Sequence, residues 1–351
     1  MFYSVSEISH RGGVILSDGH ILKQSGTRLH PAAVVLLDLL LAGVILLIYF
    51  FFQMFLPAME AARQAPVQTQ PPVETAAPSP TPTPEDTRTE WQKRFEEHFS
   101  PTAVWTENSY KSPNVSITVE TVTTGEGMDK ITYHVADIYI ASPENFRAYT
   151  ANNELKYYSV QDAMEMDAAS GALIAISGDF YSYQKSGFLV RNGEVYSQDY
   201  TSGSVCALFE DGSIEIYPRN GYDIDDIMSR GVSQVWNFGP SLLDEEGHVL
   251  PSYDVSATVA YPNPRSALGY YEPGHYCFVV VDGRQEGYSR GMTIPELAQV
   301  FEDLGCASAY NLDGGASALM TFNHERYSRQ SNGGDRRLGD LLIIVETEEG
   351  E

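Results

Sequence analysis

Residues 307–320 read Ala-Ser-Ala-Tyr-Asn-Leu-Asp-Gly-Gly-Ala-Ser-Ala-Leu-Met, a short apolar run that ends on the carboxylate of Asp313. An aspartate in such a place can serve as nucleophile or general base, and Gly314 and Gly315 beside it let a ligand approach the backbone closely. Asp-Gly is also the commonest hairpin signal, so the dipeptide alone means a turn. A second one changes its weight: Tyr276–Val281 is another continuous apolar run, closed by Asp282-Gly283-Arg284. Between the two lies Thr293-Ile-Pro-Glu296, a capping box with proline in the first turn. Ile294, Leu297, Phe301 and Leu304 supply an apolar stripe behind it, and Gly305 stops the helix. Strand, helix and strand joined by short links predict a parallel crossover. Both Asp-Gly segments would then leave the sheet at one edge, where open sheets bind ligands.

Four further segments could feed that edge. Gly178-Asp179 follows the apolar run Ala172–Ile176, and Asn237-Phe-Gly239-Pro follows Val235-Trp236. Arg265 sits in Pro-Arg-Ser-Ala-Leu-Gly, and Ser289-Arg-Gly-Met follows the loop of Arg284. In a chain this acidic an arginine is often half of a surface ion pair. Arg265 and Arg284 instead stand among small, turn-forming residues, a setting that suits bidentate contact with a phosphate.

The totals narrow the partners. A net charge of −25 over 351 residues excludes nucleic acid as a natural partner and disfavours an anionic lipid surface. An anionic substrate must be drawn in by clustered arginines against that field. Cys206, Cys277 and Cys306 lie far apart in apolar runs without metal-ligand spacing. They are expected as buried thiols, with one bridge possible. No cofactor is expected, and no motif supports a divalent cation among the aspartates.

Taken in order, Ile176–Tyr181, Asn237–Leu242, Pro264–Gly269, Val280–Gln285 with Ser289–Thr293, and Asn311–Ser317 resemble the phosphodiester glycosidase family, as does Arg336-Arg337 ahead of Leu338-Gly-Asp340. The resemblance is strongest over 159–345. Ser177 stands where the family usually has Asn, and Ala316 where it usually has Gly. The resemblance implies hydrolysis between a sugar's anomeric carbon and a phosphodiester, with an N-acetylhexosamine as the expected sugar. It makes Asp313 the catalytic carboxylate and Arg265 and Arg284 the phosphate clamp. Gly178, Asp179, Asn237, Gly239, Asp282, Asn311, Gly314, Gly315 and Ser317 would bind substrate. An ordinary glycosidase needs two carboxylates because an alkoxide leaves badly without a general acid. A phosphate monoester leaves far more readily. A binding or assembly factor for an envelope polysaccharide is the alternative reading of the same pocket.

The elements that must position these residues read as an α+β fold: one strand-rich mixed-sheet domain over 113–351, with a few packed helices and a C-terminal parallel β-α-β unit. Val115–Val122 and Ile131–Ile140 alternate as strands, and Asn192-Gly193 turns a hairpin. Asn145–Tyr149 and Val160–Ser170 read as helices. Upstream, 90–112 is a short helix and connector, 57–89 a Pro/Thr-rich spacer, 31–56 a transmembrane signal anchor and 1–30 a short cytoplasmic segment. The apolar run 32–52, broken by Asp38, is long enough to span a bilayer. Location outside the membrane and an envelope glycopolymer as partner follow as expectations.

Overall fold

The computed structural model describes residues 86–201, 203–331 and 334–347. The expected cytoplasmic segment, anchor and nearly all of the spacer lie outside the described residues. Among the described residues no helix is long and apolar enough to cross a membrane.

Three antiparallel sheets build the domain. The first has seven strands in the order β1-β2-β3-β4-β13-β12-β14. These are β1 (Val104–Trp105), β2 (Ser109–Lys111), β3 (Val115–Thr124), β4 (Ile131–Ile140), β12 (Arg265–Glu272), β13 (His275–Val281) and β14 (Ser308–Leu312). The second runs β10-β9-β11-β7-β8, from β7 (Phe188–Arg191), β8 (Glu194–Gln198), β9 (Val205–Phe209), β10 (Ile214–Tyr217) and β11 (Val232–Trp236). The third runs β16-β15-β6-β17-β5, from β5 (Phe146–Thr150), β6 (Ala172–Ser177), β15 (Met320–Phe322), β16 (Glu325–Arg326) and β17 (Asp340–Val345).

The single mixed sheet and the parallel unit are therefore corrected. Helix α5 (Ile294–Leu304) does join β13 to β14, with the Thr293–Glu296 capping box and Gly305 in the left-handed conformation. The two strands do not pair, because β12 lies between them and is antiparallel to both. They still share a direction, so Asp282 and Asp313 leave the sheet at the same end. The sequence pattern of β13 and β14 reports burial on both faces, and a central antiparallel strand meets that condition as well as a parallel one. On β13, Tyr276, Phe278 and Val280 enter one core with Ile138, Ile176 and Trp236. Cys277, Val279 and Val281 enter another with Leu297 and Phe301 of α5.

Residues 145–149 are also corrected. Asn145 ends a 3-10 turn, and Phe146–Tyr149 lie in strand β5, with Phe146 and Ala148 buried and Arg147 exposed, paired with β17. That alternation has the strand period of two, which outweighs a five-residue helical impression. The remaining helices are short: α1 (Glu90–Arg94), α2 (Ala163–Ser170), α3 (Ile224–Ser229) and α4 (Ala257–Ala260). Asp162 caps α2 through its side chain, and Gly171 ends it in the left-handed region.

Candidate active site

Asp313 leaves the end of β14 where strand ends of all three sheets meet. Its amide donates to the Gly178 carbonyl (3.1 Å), which ties it to the end of β6. Gly178 has no alternative side chain, since a Cβ there would lie 2.1 Å from Asp340 Oδ1. Ser177 Oγ lies 3.0 Å from the Asp313 carbonyl and 2.7 Å from Ser266 Oγ. The serine that departs from the family pattern thus holds the backbone of the catalytic candidate. Ala316, the other departure, needs no positive φ, and its carbonyl accepts from Arg336 N at 2.9 Å.

The Asp313 carboxylate is buried, and Oδ2 accepts from Ser317 Oγ at 2.6 Å. Arg336 Nη1 reaches Oδ2 at 3.2 Å, Oδ1 at 3.4 Å and Ser317 Oγ at 3.3 Å. Burial pushes the carboxyl up to about 6, against the hydrogen bond from Ser317 and the charge of Arg336; the charge of Asp179 adds to the rise. A carboxylate tuned close to neutrality is mostly ionised at pH 7 and still able to accept a proton.

Arg336 also lies over two aromatic rings, 5.2 Å from the centre of Phe180 and 5.8 Å from that of Tyr183. Those rings stack on each other at 4.9 Å, and Phe238 meets Phe180 edge-on. They form a half-open shelf beside the carboxylate, of the kind on which the apolar face of a sugar ring can rest.

The other expected residues divide into those around this opening and those behind it. Arg284, at φ 60, donates from Nη2 to Asn263 Oδ1 at 2.8 Å. A Cβ on Gly315 would lie 3.0 Å from the same Nη2, so Arg284 and Arg336 flank the segment after Asp313 from two sides. Gly314 is pressed against the Pro264 carbonyl, and the Gly315 amide donates to that carbonyl at 2.8 Å. Arg265 is buried, with Nε donating to the Met292 carbonyl and Nη2 to those of Val259 and Tyr261. Burial, then the nearby charge of Arg284, lowers it to about 10.

Asn311 is fully buried and holds the neighbouring segment through Nδ2 to the Gly239 carbonyl (2.7 Å). Asn237 spans Asp179 Oδ2 and the Phe188 carbonyl. Asp282 is closed off: Oδ2 meets His134 Nε2 at 3.0 Å and the Tyr288 hydroxyl at 2.8 Å, while Oδ1 accepts from Arg329 N at 2.8 Å.

Under the site lies a cluster that sequence reasoning missed. Arg191, fully buried at the end of β7, reaches Asp340 Oδ2 at 2.6 Å and Asp179 Oδ2 at 3.1 Å. Burial alone would lower this arginine, but the two carboxylates more than offset it. Burial raises the carboxyl of Asp340, and the charge of Asp179 adds to that. Asp179 Oδ1 further accepts from Tyr181 N at 2.9 Å. The signal was an arginine inside the apolar run Phe-Leu-Val-Arg, which must be paired if buried. Phe180 and Tyr183 carried no such signal. Among the described residues no group of three or more His, Cys, Asp or Glu side chains converges to hold a metal ion. The three cysteines are buried and free, with 3.6 Å between Cys277 Sγ and Cys306 Sγ.

The domain is a strand-rich α+β fold that brings a buried carboxylate, flanking arginines and an aromatic shelf to one opening. The family model described as phosphodiester glycosidase matches residues 170–345, and the chain belongs to that family. Its fold is similar to the catalytic domain of zebrafish N-acetylglucosamine-1-phosphodiester alpha-N-acetylglucosaminidase, auto-inhibited by its pro-peptide. That match has a TM-score of 0.55 and 18% identity, over 67% of this chain and 85% of the other. A hypothetical protein from Synechocystis gives 0.51 at 13% identity, over 70% and 64%. The uncharacterized SPbeta prophage-derived protein YomE of Bacillus subtilis (strain 168) is 28% identical over 162 residues, 45% of this chain. The chain spans about a quarter of the length of that relative, 25%.

Proposed function

We propose that the protein hydrolyses a sugar-1-phosphodiester at the anomeric carbon, with an N-acetylhexosamine as the sugar. The observation that carries this reading is the count of available carboxylates at the opening. Asp179 is sealed by the buried Arg191 and the amides of Tyr181 and Asn237, and Asp282 by His134, Tyr288 and the Arg329 amide. Asp313 instead has a partly exposed partner, Arg336, that a ligand can displace, which makes Asp313 the reactive carboxylate. One carboxylate without a separate general acid suits a leaving group that needs no protonation, and a phosphate monoester is such a group. Asp313 acts as nucleophile or general base at C1. Arg284 and Arg336 stabilise charge on the departing phosphate, and Phe180 with Tyr183 seats the sugar. Arg265 holds the loops that frame the site. In the net reaction the C1–O bond breaks, a hydroxyl from water ends on C1, and the proton goes to the medium or the phosphomonoester.

The apolar run at 32–52 and the Pro/Thr-rich spacer after it support placement of the domain outside the cytoplasm, on a glycopolymer of the cell envelope. The test uses purified protein, methyl N-acetyl-α-glucosaminyl phosphate and water enriched in oxygen-18. Label in the released sugar, lost with Asp313→Asn, is the expected result. Label in the phosphate, or full activity of Asp313→Asn, overturns the reading. Binding without turnover in wild type and variant alike identifies a binding factor instead.

A further inference from the structure

We propose that the cleft beside Phe238 holds the alcohol esterified to the departing phosphate, and that this alcohol has an apolar body rather than being a second sugar. The inference rests on the hydrolytic reading above. The cleft has a volume of about 460 Å³, within the usual range for a small-ligand site. Three contacts tie its wall to the segment that carries Asp313. The Phe238 ring meets Phe180 at 6.4 Å, under the arginine that bridges to Asp313. The Gly239 carbonyl accepts from Asn311, two residues before Asp313. The Val259 carbonyl accepts from Arg265 at 2.6 Å, and a Cβ on Gly314 would lie 3.1 Å from the Arg265 Cα. A sugar on the Phe180–Tyr183 shelf with its phosphate at Arg336 therefore points its ester alcohol toward the cleft.

The lining decides the chemistry. Most of the wall surface is apolar, with Pro218, Phe238, Pro240, Leu250, Val255 and Val259 contributing to it. Arg219 and Asp254, both exposed, oppose each other in charge. Hydroxyls come from four serines and Tyr253 and an amide from Gln184. The Ser241 and Tyr253 hydroxyls already donate to the Leu243 and Leu242 carbonyls, and Ser204 Oγ is buried without a hydrogen-bond partner. A second sugar, with a hydroxyl on nearly every carbon, would leave several of them unpaired against prolines and aliphatic side chains. An alkyl chain or an aromatic ring loses nothing there and gains the burial.

The experiment compares four N-acetyl-α-glucosaminyl phosphodiesters of the full chain's substrate class, carrying methyl, octyl, phenyl or glucos-6-yl groups. The expected result is a kcat/KM at least tenfold higher for octyl or phenyl than for methyl and glucosyl, with octyl first for a chain site and phenyl first for a ring site. Val255→Trp, and separately Leu250→Arg, should collapse that ratio toward one, with circular dichroism confirming the fold of each. Equal kcat/KM for all four esters, a preference for glucosyl, or a preference unchanged in both variants overturns the inference. Calorimetric binding of octyl phosphate and methyl phosphate to the same proteins needs no turnover. Tighter octyl phosphate binding that depends on Val255, in a protein that hydrolyses none of the esters, upholds the cleft and removes the reaction. Hydrolysis without any ester preference does the reverse.

Discussion

Asp282 and Asp313 occupy matching places: each ends a buried strand, the strands share a direction, and a glycine follows each. Their surroundings differ in what a ligand could displace. Asp282 is clasped by the imidazole of His134 on β4, the phenol of Tyr288 and the backbone amide of Arg329. Asp313 is held by one hydroxyl and one arginine whose side chain is 37% exposed. A carboxylate becomes reactive when its partners hold it in place yet leave an approach; full satisfaction makes it a rivet.

The largest expected effect breaks the pair apart. Asp313→Asn should lower kcat/KM by about 10³-fold or more, as loss of a nucleophile or base does, while the folded state survives. Steady-state kinetics beside a thermal melt measure both; a melt that collapses would assign Asp313 to structure. Asp282→Ala should show the opposite balance, costing on the order of 3 kcal/mol because His134 and Tyr288 are left without their buried partner. Urea unfolding reads that cost, and an unchanged midpoint would contradict the rivet.

A smaller effect concerns pH and has a definite sign. Burial raises Asp313 from 3.8 to about 6, so the folded protein binds its proton more tightly than the unfolded chain does. This group's contribution is therefore favourable at low pH and falls away as pH rises from about 4 to about 6. Asp313→Asn should gain stability relative to wild type across that window, by up to about 3 kcal/mol. Activity runs the other way, rising through about 6 as the carboxylate ionises. The smallest effect sharpens this: Ser317→Ala and Arg336→Gln each remove a group that favours the ionised form, so the acid limb of the pH–kcat/KM profile should move to higher pH. A limb that stays fixed in both variants would mean that another group sets it.

The parts of the fold that were legible are those fixed by local chemistry. The Thr293–Glu296 box, Gly305 and Asn192-Gly193 each specify their turn or helix end without help from distant residues. The insertion of β12 between β13 and β14 was not legible, because an apolar run records burial on two faces and not the direction of its neighbour. Asp313, Ser317 and Arg284, read as site candidates from glycine-rich spacing, lie together around one segment of the chain. Arg336 entered only through the match to the family's C-terminal stretch. Arg265 was read as a clamp because a sequence shows that an arginine is present among small residues, but not that three carbonyls receive it.

The place of β12 sets a dimension. Adjacent strands lie about 4.8 Å apart, too close for anything but side chains to stand between the loops at their ends. With one strand inserted, the ends of β13 and β14 are two spacings apart, about 10 Å, and the Pro264 backbone ahead of β12 fills the gap, pressed against Gly283 on one side and Gly314 on the other. The inserted strand begins at that same end with Arg265, whose guanidinium is turned back into the surrounding loops. Strand order thus acts as a spacer block: it keeps the two carboxylates apart, so that Asp282 is sealed on one side while Asp313 lies at the opening on the other.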